Sequence, residues 1–584
     1  MDMISENENE HEVSIPPAVS KKQPKQHFKV CFCFKRIFKH RVYEPPEDIK
    51  KLFEQYSENG TMTVEDMQRF LIDVQKESNA SKDSAQAIFN SLKHLNMFHR
   101  KDLNFEAFYR YLLGDSNLAI PRVVHQDMQA PLAHYFIFTG HNSYLTGNQL
   151  SSDSSEVPII DALKKGVKVI ELDLWPNARG DGVEVCHGGT LTRPVELIKC
   201  LKAIRDHAFS VSDYPVVITF EDHLTPNLQS KVAQMVTKTF GELLYRPESH
   251  LKEFPSPESL KKKILISTKP PKEFHDQASS SSKDETCNID VEQMQEVASH
   301  DRDDQTAEEN AVPQYKNLIA IRAGKPKGEK DIWAIDPNTV RRLSLSEQEL
   351  ENAAKTRGTD IVRFTQKNLL RVYPKGLRLD SSNYNPMLGW MHGAQMVALN
   401  MQGYGKYLWI MQGMFRANGG CGYVKKPNFL LEVTPSNEVF DPSDIPRTQK
   451  TLKVKVYLGE GWHSDFRHTH FDRFSPPDFF VRVGIAGVPA DEVMKQTKAI
   501  EDEWLPMWNE EFEFPLKAPE LAVLRIEVLE YDTSGKNDFG GQACLPVSEL
   551  RTGIRVIPLH NKKGDKYNSV KLLMRFEFLC SVNY

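Results

Sequence analysis

Two histidines and several carboxylates recur at regular places in the first half of the chain: His141-Asn142-Ser143-Tyr144, Glu171-Leu172-Asp173, His187-Gly188 and Glu221-Asp222. Each group follows a short apolar run that reads as a β-strand, so imidazoles and carboxylates are offered together at strand ends. Glu171 and Asp173 are two apart on a strand, which sends both side chains to one face where they can converge on a single cation. With the carbonyl oxygen of Asn142 and the carboxylate of Glu221 they make four hard oxygen donors, a set that suits calcium or magnesium and not zinc. Two imidazoles beside such a cation have a use on a phosphodiester. One stabilises charge on a pentacoordinate phosphorus and the other gives a proton to the leaving oxygen. Singly, a strand-end Asp is more often a helix cap and a lone His a satisfied core group. It is the recurrence after four successive strands that favours a site.

Such groups need a scaffold that gathers strand ends. Between Phe136 and Ser267, short β-type runs (Phe136 to Phe138, Val167 to Leu172, Val183 to Val185, Pro215 to Phe220, Ile264 to Ile266) alternate with segments of helical spacing, the pattern of parallel β/α units. Catalytic groups of a β/α barrel lie at the C-terminal strand ends, where His141, Glu171, Asp173, His187 and Glu221 fall. Five strands do not close a barrel. Residues 284–310 then carry ten Asp and Glu against a single Arg, with almost no large apolar side chains. This composition cannot bury enough surface to offset chain entropy and reads as a flexible acidic linker. After it, β/α character resumes around Leu318 to Ile321, Ile361 to Phe364, Met396 to Asn400 and Gly422 to Val424, so the two halves are expected to complete one TIM-like barrel. From about Thr451 strict alternation takes over (Leu452 to Tyr457, Phe479 to Val483, Glu511 to Phe514, Leu524 to Leu529, Val570 to Phe578), as in an antiparallel β-sandwich with its own core.

At 584 residues the chain is too long for one core, and its 40% hydrophobic and 26% charged residues are those of a soluble multidomain protein. No run suits a membrane span, and the acidic start lacks the features of a secretory signal. Eight scattered cysteines suggest reduced thiols in a cytoplasmic protein. A net charge of −5 argues against nucleic acid as a partner. Local charge is uneven: residues 21–41 interleave lysines and arginines with Phe28, Phe32, Phe34 and Phe38, either a solvated arm or a patch for an anionic membrane, with Cys31 or Cys33 as acylation candidates. From Pro46 to about Leu113 the spacing is helical, with a break at Ser57-Glu58-Asn59-Gly60 that has EF-hand outline. Gln55 and Asp66 occupy the first and twelfth loop positions, where calcium wants Asp and a bidentate Glu, so a structural helix pair is expected there.

Gly140 to Leu145, Ile170 to Asp173, Cys186-His187-Gly188 and Thr219 to His223 resemble the X region of eukaryotic phosphoinositide-specific phospholipase C. Ser381 to Pro386, Gln395 to Asn400 and Asn418 to Tyr423 resemble its Y region. The resemblance spans nearly the whole chain and implies an N-terminal arm (1–45), an EF-hand-like region (46–118), an X half (125–270), an acidic linker (271–312), a Y half (313–432) and a C2 domain (450–584). Fewer than 50 residues precede the EF-hand-like region, which leaves no room for a pleckstrin-homology domain. A single degenerate EF-hand-like unit in this short form resembles the plant-type subfamily.

The resemblance implies that Asn142, Glu171, Asp173 and Glu221 hold a catalytic calcium, that His141 stabilises the phosphorane-like transition state, and that His187 protonates the diacylglycerol oxygen. Glu171 or Glu221 would deprotonate the inositol 2-hydroxyl. Lys269, Ser344, Arg371 and Tyr373 match the headgroup-selecting residues. Ser267 stands where animal members carry another lysine, which loosens the expected preference for phosphatidylinositol 4,5-bisphosphate over the 4-monophosphate. Asp472, Asp478, Asp532 and Asp538 match the calcium-binding loop aspartates of C2 domains, implying peripheral attachment to a phosphoinositide-containing membrane on the cytosolic face of the plasma membrane. The acidic linker beside a cationic active-site mouth is expected to hold basal activity down. The rival expectations are a catalytically silent calcium- and lipid-binding scaffold and a barrel phosphodiesterase acting on glycerophosphodiesters.

Overall fold

The structure is a computed structural model that describes residues 25–29, 35–39, 44–92, 102–248, 251–271, 313–324, 331–444, 448, 450–467, 470–472, 474–532 and 535–580. The acidic stretch 284–310, Cys31 and Cys33 lie outside the described residues.

Eight parallel strands close into a barrel. In chain order they are β1 (Thr139–Gly140), β2 (Val169–Pro176), β3 (Val216–Asp222), β4 (Ile264–Thr268), β5 (Ile319–Arg322), β6 (Arg342–Ser346), β7 (Leu369–Tyr373) and β8 (Met396–Leu399). Each pairs with the next, β8 returns to β1 through Ala398↔Thr139, and an Ala323↔Arg342 bridge joins the end of β5 to β6. Four strands come from each half, so neither half makes a closed sheet alone. Alternation along each strand sorts the side chains. Ile170, Leu172, Ile218, Phe220, Leu370 and Val372 pack outward against the helices, while Val169, Val217, Leu265, Leu369 and Met396 fill the barrel floor. By the same parity Glu171, Thr219, Ser267, Arg342 and Arg371 point into the barrel above that floor.

Several runs that look alike in sequence part company here. Tyr135–Ile137 pairs antiparallel with Tyr423–Lys425 outside the barrel, so the barrel strand begins only at Thr139. Val183–Val185 leaves the barrel in an antiparallel ribbon against the far end of β2. Ile361 to Phe364 belongs to the helix Glu347–Thr365, and the strands of the Y half include Arg342–Ser346 and Leu369–Tyr373 instead. Ile361, Val362 and Phe364 are simply the helix's buried face.

The N-terminal region contains two helix pairs and not one. Helices Glu47–Gln55 and Val64–Asp73 form the first, helices Lys82–Leu92 and Phe105–Leu112 the second, and a short ribbon from Thr61–Met62 to Leu103–Asn104 ties them. Asp66, the twelfth loop position, is spent on the capping box of its own helix with Thr63 and on an ion pair with Arg69, in keeping with a structural role. The C-terminal sheet has eight antiparallel strands around a core of Val454, Phe479, Val481, Ile526, Leu572 and Phe576. It is bolted to both neighbours. Gln75 brackets the backbone of Ile554 (2.7 and 2.8 Å), and Trp409 Nε1 donates to the Lys562 carbonyl at 2.8 Å. No helix among the described residues is long and apolar enough to cross a membrane.

Candidate active site

The C-terminal ends of β2 and β3 lie side by side, with Thr219 in register with Glu171 and Glu221 with Asp173. Carboxylate oxygens of Glu171, Asp173 and Glu221 come within 4.8 Å of one another, the only such acidic cluster among the described residues. Asp173 is nearly fully buried. Its Oδ2 accepts from the Tyr144 hydroxyl at 2.8 Å, whereas its Oδ1 has no hydrogen-bond partner among the described residues. Burial raises its carboxyl well above the usual range, and the neighbouring charges of Glu221 and Glu171 add to the shift. An orphaned, buried carboxylate oxygen beside two further carboxylates is costly unless a cation compensates it, so the donor set fits a hard divalent ion.

Asn142 stands two residues past the end of β1 with a left-handed φ of 42°, a conformation Asn tolerates better than most residues. Its backbone N–H donates to Glu171 at 3.3 Å, and its side-chain Nδ2 donates to Gln149 Oε1 at 3.1 Å, which leaves the amide oxygen free of that bond. Next door, His141 Nδ1 meets Asn400 Oδ1 at 2.9 Å, and His187 Nδ1 meets the Gln149 carbonyl at 2.8 Å. In both rings the bond at Nδ1 leaves Nε2 as the atom open to a ligand. Burial, reinforced by the Arg371 guanidinium, drives the His141 pKa down to about 3.

The expected headgroup residues divide. Ser344 on β6 is in register with Arg371 on β7, and Tyr373 stands two residues further on, with the guanidinium carbon 5.3 Å from its ring centroid. Arg371 is buried and forms an ion pair with Glu171. Burial opposes its charge, but Glu171 and Glu221 outweigh that and raise its pKa. Arg371 thus lies over the ring of Tyr373 while its charge is paired with the carboxylate cluster through Glu171. Lys269 is exposed just beyond β4, separated from Ser344 by β5, while Ser267 is buried with an unpartnered hydroxyl.

Sequence patterns did not single out Gln149 or Asn400, yet they tie the site together. Gln149 Nε2 donates to Asn400 Oδ1 at 3.1 Å and to Ser381 Oγ at 2.9 Å. A second missed feature is apolar. Leu150, Leu191 and Leu379 are exposed on loops linked to Gln149, since the Gln149 N–H donates to the Leu379 carbonyl and the Leu191 N–H to the Leu150 carbonyl. A glutamine's fixing role and a lone loop leucine carry no signal in spacing. Only the fold puts them together.

At one end of the sandwich, Asp478 accepts from the Asp502 N–H at 2.7 Å and Asp472 from Ser475 at 2.6 Å. Glu530, in register with Asp538, is buried among the four expected aspartates. Burial first, then Asp472, Asp538, Asp478 and Asp532, raise its pKa to about 7. Glu530 was not among the expected residues.

Comparison with known proteins agrees with this architecture. Family models match in four stretches: the EF-hand-like region of phosphoinositide-specific phospholipase C over residues 41–119, the X domain of phosphatidylinositol-specific phospholipase C over 128–270, its Y domain over 321–429, and a C2 domain over 450–562. Phosphoinositide phospholipase C 2 of Arabidopsis thaliana is 60% identical, covering 95% of this chain and 100% of its own. Phosphoinositide phospholipase C 7 of the same plant is 58% identical with the same coverage. The crystal structure of S. officinalis PLC21 superposes with a TM-score of 0.71 at 26% identity, covering 93% of this chain and 69% of that one. By its barrel, its flanking regions and these relatives, the chain belongs to the phosphoinositide-specific phospholipase C family of phosphoric diester hydrolases.

Proposed function

We propose that the protein is a calcium-dependent phospholipase C that cleaves phosphatidylinositol 4,5-bisphosphate, and the 4-monophosphate, into diacylglycerol and soluble inositol phosphates at a membrane surface. The observation that carries this reading is the convergence of Glu171, Asp173 and Glu221 beside two imidazoles that are each held at Nδ1. Those carboxylates and the Asn142 side chain are the residues that would hold calcium, which when bound lowers the pKa of the inositol 2-hydroxyl and neutralises phosphate charge.

The chain's own groups do the rest. Glu171 or Glu221 takes the proton of the 2-hydroxyl, whose oxygen attacks phosphorus. His141, whose Nε2 takes up a proton when the substrate's phosphate charge stands against it, stabilises the charge that builds on the equatorial oxygens. The bond to the diacylglycerol oxygen breaks, and that oxygen receives its proton from His187 Nε2. The cyclic phosphodiester so formed is opened by water. Ser344, Arg371 and Lys269 supply donors to ring phosphates from two sides of the mouth, with Tyr373 stacked behind Arg371.

Leu150, Leu191 and Leu379 give the mouth an apolar rim that favours a bilayer over water, and the sandwich carboxylates Asp472, Asp478, Asp532 and Asp538, with Glu530, would bind calcium against anionic lipid. Attachment is peripheral. The test is inositol phosphate release from phosphoinositide vesicles during a calcium titration, with His187→Ala beside wild type. Release should rise with calcium for wild type alone. Equal release by both proteins would leave the protein as a lipid-binding scaffold.

A further inference from the structure

A cleft of about 230 Å³ opens where the segment joining the helical region to the barrel, the Y half and the sandwich meet. None of the residues expected at the active site lines it. Its walls are largely apolar: Ile120 and Pro121 come from the connecting segment, and Leu545, Val556 and Ile557 from the sandwich. A parallel bridge from Leu118 to Val556 holds the two sides together.

The polar lining is all of one sign. Arg122, Arg416, His560 and Lys566 face the cleft, and no carboxylate does. Arg416 is half-buried. Its Nη1 donates to the Cys544 carbonyl at 3.0 Å, and no acidic residue pairs with it among the described residues. Burial lowers its pKa, as expected of a guanidinium without a counter-ion. His560 Nδ1 is buried without a hydrogen-bond partner among the described residues. Among the described residues the one ion-pair partner of Lys566 is the exposed Asp115, at 3.7 Å. A shielded cation with no acid beside it is expensive, and the same cation at the end of an apolar cavity is the natural seat of an anion.

We propose that this three-way cleft binds an anionic amphiphile: a compact anionic head held by Arg416 with Arg122 and Lys566, and an aliphatic chain laid along Ile120, Pro121, Val556 and Ile557. The volume suits a short chain, since a water-sized group occupies about 30 Å³. Both walls of the cleft would be engaged at once, so an occupied cleft ties the sandwich to the barrel and the connecting segment. A carboxylate and a phosphate monoester share this head chemistry, and the experiment separates them.

Full-length protein is titrated calorimetrically with decanoate and with decyl phosphate, below their micelle concentrations, with decanol and inorganic phosphate as controls. One-to-one binding of at least one amphiphilic anion is expected, with decanol and inorganic phosphate at least tenfold weaker, and the head that binds identifies the ligand class. Arg416→Gln should weaken it at least tenfold. Should that variant fold poorly, Ile120→Asp, which places a carboxylate on the wall, should do the same. The proposal is overturned by no binding of either anion, by equal binding of decanol or phosphate, or by unchanged affinity in Ile120→Asp.

Discussion

The carbonyl oxygen of Gln149 accepts from His187 Nδ1 at 2.8 Å, while the side chain of the same glutamine reaches Asn142 and Asn400, the latter bonded in turn to His141. One residue therefore orients both histidines and an expected calcium ligand. In Gln149→Ala the carbonyl survives and the side-chain bonds go. His141 and Asn142 lose their support, and kcat should fall about tenfold to a hundredfold, the usual effect of removing a group that orients a site's ligands. KM should stay within about twofold. Steady-state kinetics on a soluble inositol phosphodiester check this, and a raised KM at intact kcat would place Gln149 in substrate binding instead.

Asp173 illustrates a trade between stability and function. Its Oδ1 is buried without a partner and faces two like charges. Asp173→Asn keeps the shape and removes the cost of protonating, on folding, a carboxyl raised well above its usual range, so the variant in chelator should be about 1–2 kcal/mol more stable than wild type in chelator, and inactive. Added calcium should raise the unfolding midpoint of wild type, because ligands that bind the folded state stabilise it, and should raise that of the variant far less. Equal responses of the two midpoints would remove Asp173 from the ion site.

The exposed leucines separate surface binding from chemistry. Leu150→Ser combined with Leu191→Ser removes apolar area from the rim without touching a carboxylate or imidazole. Turnover of vesicle-borne lipid should drop about tenfold or more, at roughly 25 cal/mol for each Å² no longer buried in the bilayer. Turnover of a soluble phosphodiester should be unchanged. A parallel loss on both substrates would mean that the loops shape the site itself.

The fold class was legible because β/α and alternating textures differ in period, and the cluster was legible because Glu171 and Asp173 share one parity on β2. What escaped did so for local reasons. Arg342–Ser346 and Leu369–Tyr373 carry charged or polar residues inward, so as strands they lack the apolar continuity of Val216 to Phe220. Ile361 to Phe364 reads like a strand only because a helix's buried face can place three apolar residues within four positions. The second helix pair hides behind Lys82–Leu92, which buries only Ala85, Phe89 and Leu92, although its partner Phe105–Leu112 buries five of its eight residues in the cluster shared with Leu573 and Ile554 of the sandwich.

His560 makes a pH prediction independent of the catalytic site. Burial, then the charge of Arg416, lowers its pKa from 6.5 to about 3. Between those values the unfolded chain binds a proton that the folded one does not. Stability should therefore fall as pH drops from about 6.5 toward 3, and the contribution is fully present above 6.5. In His560→Gln the loss between pH 7 and pH 5 should be smaller by about 1 kcal/mol, a discounted figure for a side chain that is not wholly enclosed. Urea unfolding at the two pH values measures it, and identical losses would contradict the assignment.

Gly413 sets how closely the barrel and the sandwich approach. It lies on the helix Lys406–Met414 against the strand Asp538–Pro546, and a Cβ there would stand 2.4 Å from the Cys544 Cβ and 2.9 Å from its carbonyl carbon. Neither atom can swing aside, because one begins a buried side chain and the other is backbone. Gly413→Ala should cost about 1–3 kcal/mol, the range for overpacking, even though alanine is the better helix former. The strain falls on the contact that also carries the Trp409 and Arg416 hydrogen bonds, so the sandwich should begin to unfold ahead of the barrel and split a single transition in two. Gly376→Ala, where nothing lies within 4 Å, is the matched control and should leave the transition unchanged. An unchanged single transition in Gly413→Ala would show that the contact has room to give.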